Sequence, residues 1–146
     1  MSSDELTRGV VVERELSHSP AKVWRALTES ALIDDWLMAN DFIPVVGHRF
    51  QLRTTPMPHW NGVLDGEVLE VDPPRRLVYT WCASADEAAG GLKSVGTWTL
   101  SSTATGTRLR MEQSGFRPQD ENNRRGAQFG WQKNLDKLAG VISDLS

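Results

Sequence analysis

Residues 131–145 read Trp131-Gln132-Lys133-Asn134-Leu135-Asp136-Lys137-Leu138-Ala139-Gly140-Val141-Ile142-Ser143-Asp144-Leu145, with large apolar side chains at Trp131, Leu135, Leu138, Ile142 and Leu145. Steps of four, three, four and three place all five on one stripe of an α-helix. A helix over Asn122–Leu145 is therefore expected, with Trp131, Leu135, Leu138 and Ile142 buried and the helix supplying much of the core. Working back from it, the chain changes period. Thr107–Gly115 puts Leu109, Met111 and Gln113 in one phase, and Ser94–Leu100 puts Trp98 and Leu100 together. Arg76–Cys82 aligns Leu77, Tyr79 and Trp81, and Trp60–Val71 ends at Asp72-Pro73-Pro74, which continues neither strand nor helix. His48–Thr55 aligns Phe50 and Leu52. A period of two over segments joined by short turns predicts an antiparallel meander.

Further back the pattern is helical again. Ser19-Pro20 is an N-cap followed by proline at the first helical position, where a missing N–H costs nothing. Val23, Trp24 and Leu27 mark the buried side, and Ala31–Trp36 predicts a second short helix. Before these, Val10–Leu16 predicts a strand whose better core phase is Val10, Val12, Arg14 and Leu16. The expected fold is α+β: a curved antiparallel sheet of about six strands wrapped on a long C-terminal helix, with two short helices after the first strand. Residues 1–146 are expected to form one domain, with the polar residues 1–8 frayed.

Composition narrows the function. The chain of 146 residues carries six Trp, four Phe and one Tyr, bulky groups that need a core. One cysteine, Cys82, excludes an internal disulfide and a multi-cysteine zinc site. A net charge of −3 argues against nucleic acid, whose phosphates need a clustered basic surface. No apolar run is long enough to span a membrane, and no signal-peptide pattern opens the sequence, so a cytoplasmic location is expected.

Several words in this order resemble the START-like superfamily, also called SRPBCC or helix-grip proteins, in the branch of the activator of heat-shock-protein ATPase homologues. They are Ser19 to Thr28, Trp36, Val46 to Phe50, Val68 to Trp81, Gly106 to Leu109 with Ser114 to Phe116, and Gly130-Trp131 with Leu135 and Leu138. The resemblance covers about Val10 to Leu145. It implies a sheet gripping the last helix around an apolar cavity, which relatives use for lipids, sterols, polyketides or aromatic metabolites. Other relatives are cyclases or dehydratases, and some bind proteins. It transfers no catalytic motif to this chain.

The residues agree with that range. His18, His48 and His59 lack the spacing of a zinc site, so neither metal nor cofactor is expected. Gly62 and Gly66 are turn or bulge glycines, not a phosphate loop. Aromatic and apolar side chains at Trp36, Phe50, Trp60, Tyr79, Trp81, Trp98, Met111, Phe129 and Trp131 fall on consecutive elements. They either pack as an ordinary core or line a pocket because rigid rings on a curved sheet cannot all reach the helix. Polar groups expected among them are Arg14, Gln113 and the Tyr79 hydroxyl. An arginine in an inward strand phase needs a partner. Glu67, Glu70 and Glu112 are the carboxylates considered, Glu70 foremost, and a ligand anion is the other possible partner. The expected function is binding or carriage of an apolar or aromatic small molecule. The alternatives are a cyclase- or dehydratase-type enzyme using the same cavity, which needs a perturbed carboxylate or histidine within it, and a co-chaperone-like module with a protein partner, which needs an exposed apolar or charged patch.

Overall fold

The computed structural model describes residues 8–54, 62–83, 92–116 and 121–145. Its elements run β1 (Arg8–Leu16), α1 (Pro20–Thr28), α2 (Ser30–Trp36), β2 (Ala39–Asn40), β3 (Arg49–Arg53), β4 (Val63–Asp72), β5 (Arg76–Ala83), β6 (Leu92–Ser102), β7 (Thr107–Phe116) and α3 (Glu121–Asp144). The strands form one antiparallel sheet in the order β1-β7-β6-β5-β4-β3-β2. β2 to β7 are thus a meander, and β1 returns to pair with the last strand.

Seven strands stand where about six were expected. The extra one, β2, pairs Ala39 with Arg53 and Asn40 with Leu52. Two residues are too few to leave a period in the sequence. The helices lie close to their expected limits. Ser19 Oγ accepts from Lys22 N at 3.3 Å with Pro20 in the first turn, so α1 starts at its cap. It ends where the Glu29 N–H bonds Arg25 O at 2.9 Å, and α2 begins one residue later at Ser30 rather than Ala31. α3 begins at Glu121 and ends at Asp144, one residue before the expected limit at Leu145. Trp131, Leu135, Leu138 and Ile142 are buried along it. α3 packs on β1, β7, α1 and α2, so helices and sheet enclose a single apolar layer. Register shifts between Arg8 and Val10 and between Val68 and Glu70 mark bulges, which bend a strand and increase its local twist. No helix among the described residues is long and apolar enough to cross a membrane.

Arg14 follows Val10 and Val12 onto the covered face, as the strand phase requires, but its partner differs from the expected one. Its guanidinium bonds Asp136 Oδ1 at 2.5 Å and the backbone and side-chain oxygens of Gln132 at 3.1 Å, all on α3. Glu70 lies on β4, four places across the sheet, and pairs with Arg76 at 2.8 Å. Glu67 faces Arg49 and Glu112 faces Arg110. The physical reason is that the helix, not a neighbouring strand, covers β1. The side chains of Arg14 and Asp136 are 29% and 69% exposed, so the pair sits at the rim of the layer.

Candidate functional site

Strand pairing arranges the covered face in rows. Val12, Met111, Trp98 and Leu77 stand side by side across four strands, and Val10, Gln113, Gly96, Tyr79 and Val68 across five. Phe50 sits opposite Gly66, and its ring occupies the place of the missing side chain. A Cβ at Gly66 would meet that ring and come within 2.5 Å of the Thr80 carbonyl oxygen. Gly66 is therefore a seat for Phe50 inside a strand, rather than the turn or bulge glycine expected.

Trp131 reaches from α3 into this face. Its ring centroid lies 5.5 Å from that of Trp98 and 5.4 Å from that of Trp81. Trp36 meets Trp98 edge-on at 5.8 Å, and Tyr79 touches Trp81 at 6.2 Å, Phe50 at 5.3 Å and Phe42 at 5.8 Å. Most of these contacts are edge-to-face, the geometry that ring quadrupoles favour. Where these residues meet, sheet and helix are in contact, because the indole on the helix spans the distance between them.

Several polar side-chain atoms pair within the layer. Trp131 Nε1 donates to Gln113 Oε1 at 2.8 Å, Gln113 Nε2 to Ser94 Oγ at 2.9 Å, and Ser94 Oγ to the Trp81 carbonyl at 2.7 Å. Trp36 Nε1 donates to Ala26 O at 2.8 Å, and Trp98 Nε1 to the Tyr79 hydroxyl at 2.9 Å. Gln113 and Arg14 both tie the helix to the sheet.

Among the described residues, a small space lies where α1, α2, β3 and β5 converge. It is walled by Leu27, Ile33, Trp36, Leu37, Phe42, Phe50, Leu52 and Tyr79 and has a volume of about 10 Å³. That is room for about one water molecule. Tyr79 is 5% exposed and the one ionisable side chain in this wall. Its oxygen accepts from Trp98, while its own proton has no acceptor among the described residues. Burial pushes its pKa up to about 12, with the Trp98 hydrogen bond acting in the opposite direction. At neutral pH the group is a phenol, able to donate.

Phe42 forms part of this wall and was not foreseen. It lies in the irregular stretch after β2, where no periodicity marks burial. Asn40 holds the stretch: its Nδ2 donates to Ser30 O and Met38 O at 3.1 and 3.0 Å, and its Oδ1 accepts from Phe42 N at 3.1 Å. Asp41 Oδ1 accepts from Gln51 N at 2.7 Å. Asn and Asp side chains commonly fold the following backbone this way, and the pair Asn40-Asp41 was the available signal. Immediately beyond, Ile43, Val45 and Val46 are 50%, 57% and 61% exposed.

Trp36, Phe50 and Tyr79 therefore meet at the cavity, and Trp81, Trp98, Met111, Gln113 and Trp131 form the packed layer beside it. Phe129 is not part of either. It is 65% exposed, with Lys133 Nζ 4.8 Å from its ring centroid, because the α3 stripe through Trp131 turns position 129 to solvent. Trp60 and His59 lie outside the described residues. His18 has Lys22 Nζ and Ser143 Oγ each 3.5 Å from a ring nitrogen, and His48 Nε2 lies 3.0 Å from Asp41 O. Among the described residues, no three His, Cys, Asp or Glu side chains gather as a metal site.

Among solved structures, protein MLL2253 from Mesorhizobium loti is 50% identical over 95% of this chain and 99% of its own, with a TM-score of 0.88. CalU16 from Micromonospora echinospora is 25% identical over 94% of this chain and 78% of its own, with a TM-score of 0.76. Protein NE0264 from Nitrosomonas europaea shares the fold at 21% identity and a TM-score of 0.76, over 98% of this chain and 97% of its own. No curated protein matches the chain. Residues 17–143 match the family described as Activator of Hsp90 ATPase homolog 1-like protein, a span holding α1, α2, β2–β7 and nearly all of α3, and the chain belongs to that family.

Proposed function

We propose that the chain binds a small, uncharged apolar or aromatic molecule between α2 and the sheet, in the space that Phe42 helps to wall. The observation that carries this reading is the wall itself: seven apolar side chains and one phenol, with no charged residue. Ligand pockets have this make-up, apolar with a few placed polar groups. At about 10 Å³ the space is too small for such a molecule, so binding requires the wall to move, and Phe42, carried on the irregular stretch after β2, is the side chain we assign to that movement. A site that is open only part of the time binds more weakly in proportion to that fraction. Phe42→Ala enlarges the space and should tighten binding of indane about tenfold or more, on the same argument. Intrinsic tryptophan fluorescence follows the titration, since Trp36 is in the wall. Failure of indane to bind either protein, both being folded, overturns the reading.

A second reading, docking to a protein, is favoured by the exposed run Ile43-Pro44-Val45-Val46, since consecutive exposed apolar residues are uncommon without a use. The family's description makes an Hsp90-type chaperone the partner to try. Stimulation of that chaperone's ATP hydrolysis, lost in the double variant Val45→Asp/Val46→Asp, supports docking. Unchanged hydrolysis on adding the chain counts against it.

A further inference from the structure

We infer that the Tyr79 hydroxyl selects the ligand, favouring a flat apolar molecule that carries an uncharged acceptor oxygen, a ketone, aldehyde or quinone carbonyl. This rests on the binding reading above and adds the chemistry of the molecule bound. Trp98 Nε1 donates to the Tyr79 oxygen at 2.9 Å, which fixes the side from which that oxygen is approached and leaves the phenolic proton to point elsewhere. No described residue accepts it, although Tyr79 is buried. Buried donors in folded proteins nearly always have an acceptor, so an acceptor is owed at this position. Tyr79 also walls the cavity, whose volume of about 10 Å³ matches one oxygen-sized group. The indole N–H of Trp36, also in the wall, is already committed to Ala26 O at 2.8 Å.

The same wall rejects other ligands. It holds no lysine, arginine or histidine, so a carboxylate or phosphate would be desolvated without a counter-charge. A ligand that is only a donor meets a hydroxyl whose accepting side is taken by Trp98. A hydrocarbon fits the apolar walls but leaves the phenolic proton unpaired. Recognition through a buried hydrogen-bonding group discriminates strongly against an isostere that lacks the partner atom.

Indane, 1-indanone and indane-1-carboxylate form a size-matched series that tests this on the native protein. Binding is followed by the Trp98 indole N–H resonance, assigned with Trp98→Phe, because that proton bonds the selecting hydroxyl. The ketone is expected to bind about tenfold more tightly than indane, the effect of one well-made hydrogen bond, and the carboxylate not measurably. In Tyr79→Phe the ketone and hydrocarbon should bind equally. That variant strands the Trp98 N–H, so the series is repeated in Phe42→Ala, which leaves the pair intact and should keep the ketone preference. Equal binding of indane and 1-indanone to the native protein, or tighter binding of the carboxylate, overturns the selection while leaving a binding site. Binding of none of the three to the native protein or to Phe42→Ala overturns the site itself.

Discussion

At the scale of single residues, Tyr79 and its neighbours decide what the interior can do. The phenol sits in a layer without compensating charge, and its ionised form is disfavoured: its pKa is pushed up to about 12 from the ordinary 10.0. The folded value lies above that of the unfolded chain, so the stabilisation is complete below pH 10. It is lost as the pH rises from there toward about 12, because the unfolded chain releases its proton first. The loss should total roughly 2–3 kcal/mol. Tyr79 is the single tyrosine in the sequence, so the rise in tyrosinate absorbance follows it alone. The expected transition is midway well above 10 and accompanies unfolding. A midpoint near 10 with the fold intact would place the hydroxyl in water and remove the buried donor. Gln113 teaches a complementary lesson. Its inward phase was legible from Leu109 and Met111, yet its partners, Ser94 and Trp131, lie on β6 and α3, and nothing local in the sequence names them.

At the scale of elements, what could be read was whatever repeats or is capped. The stripe of α3, the Ser19-Pro20 start of α1 and the alternation of β5 and β7 all follow from local geometry. β2 and the Phe42 loop follow from side-chain contacts between residues about ten apart, such as Ser30 with Asn40 and Asp41 with Gln51, which leave no period. The docking of α3 has a direct test. Leu135 and Leu138 are each 1% exposed, and Leu135→Ala or Leu138→Ala should cost about 2–5 kcal/mol in urea unfolding. Losses under about 1 kcal/mol at both positions would mean that the helix does not rest on the sheet. The Arg14–Asp136 tie between β1 and α3 is different in kind. Its exposure at the rim limits it to about 1 kcal/mol, so Arg14→Met should be mild. A loss of about 3–5 kcal/mol would mark it as a buried pair instead.

At the scale of the whole molecule, one apolar layer joins all three helices to the sheet. The chain should therefore unfold as a single unit, and tryptophan fluorescence and far-ultraviolet circular dichroism should give coincident transitions. Separate midpoints would divide it into independently folding parts. The class of fold was legible because each segment's period agreed with its neighbours. The dimensions of the interior were not, since a ring's reach from helix to sheet is a tertiary quantity. The pairing of β1 with β7, Val12 opposite Met111, has a consequence in time. The meander from β2 to β7 assembles from near neighbours as it leaves the ribosome, but its first partner must wait across most of the chain, and such distant closures are slow. Until β1 and α3 are both in place, Trp98 and Met111 face water. The yield of native chain should then depend on translation speed and on chaperones that shield that aromatic surface, more than on the stability of the finished fold.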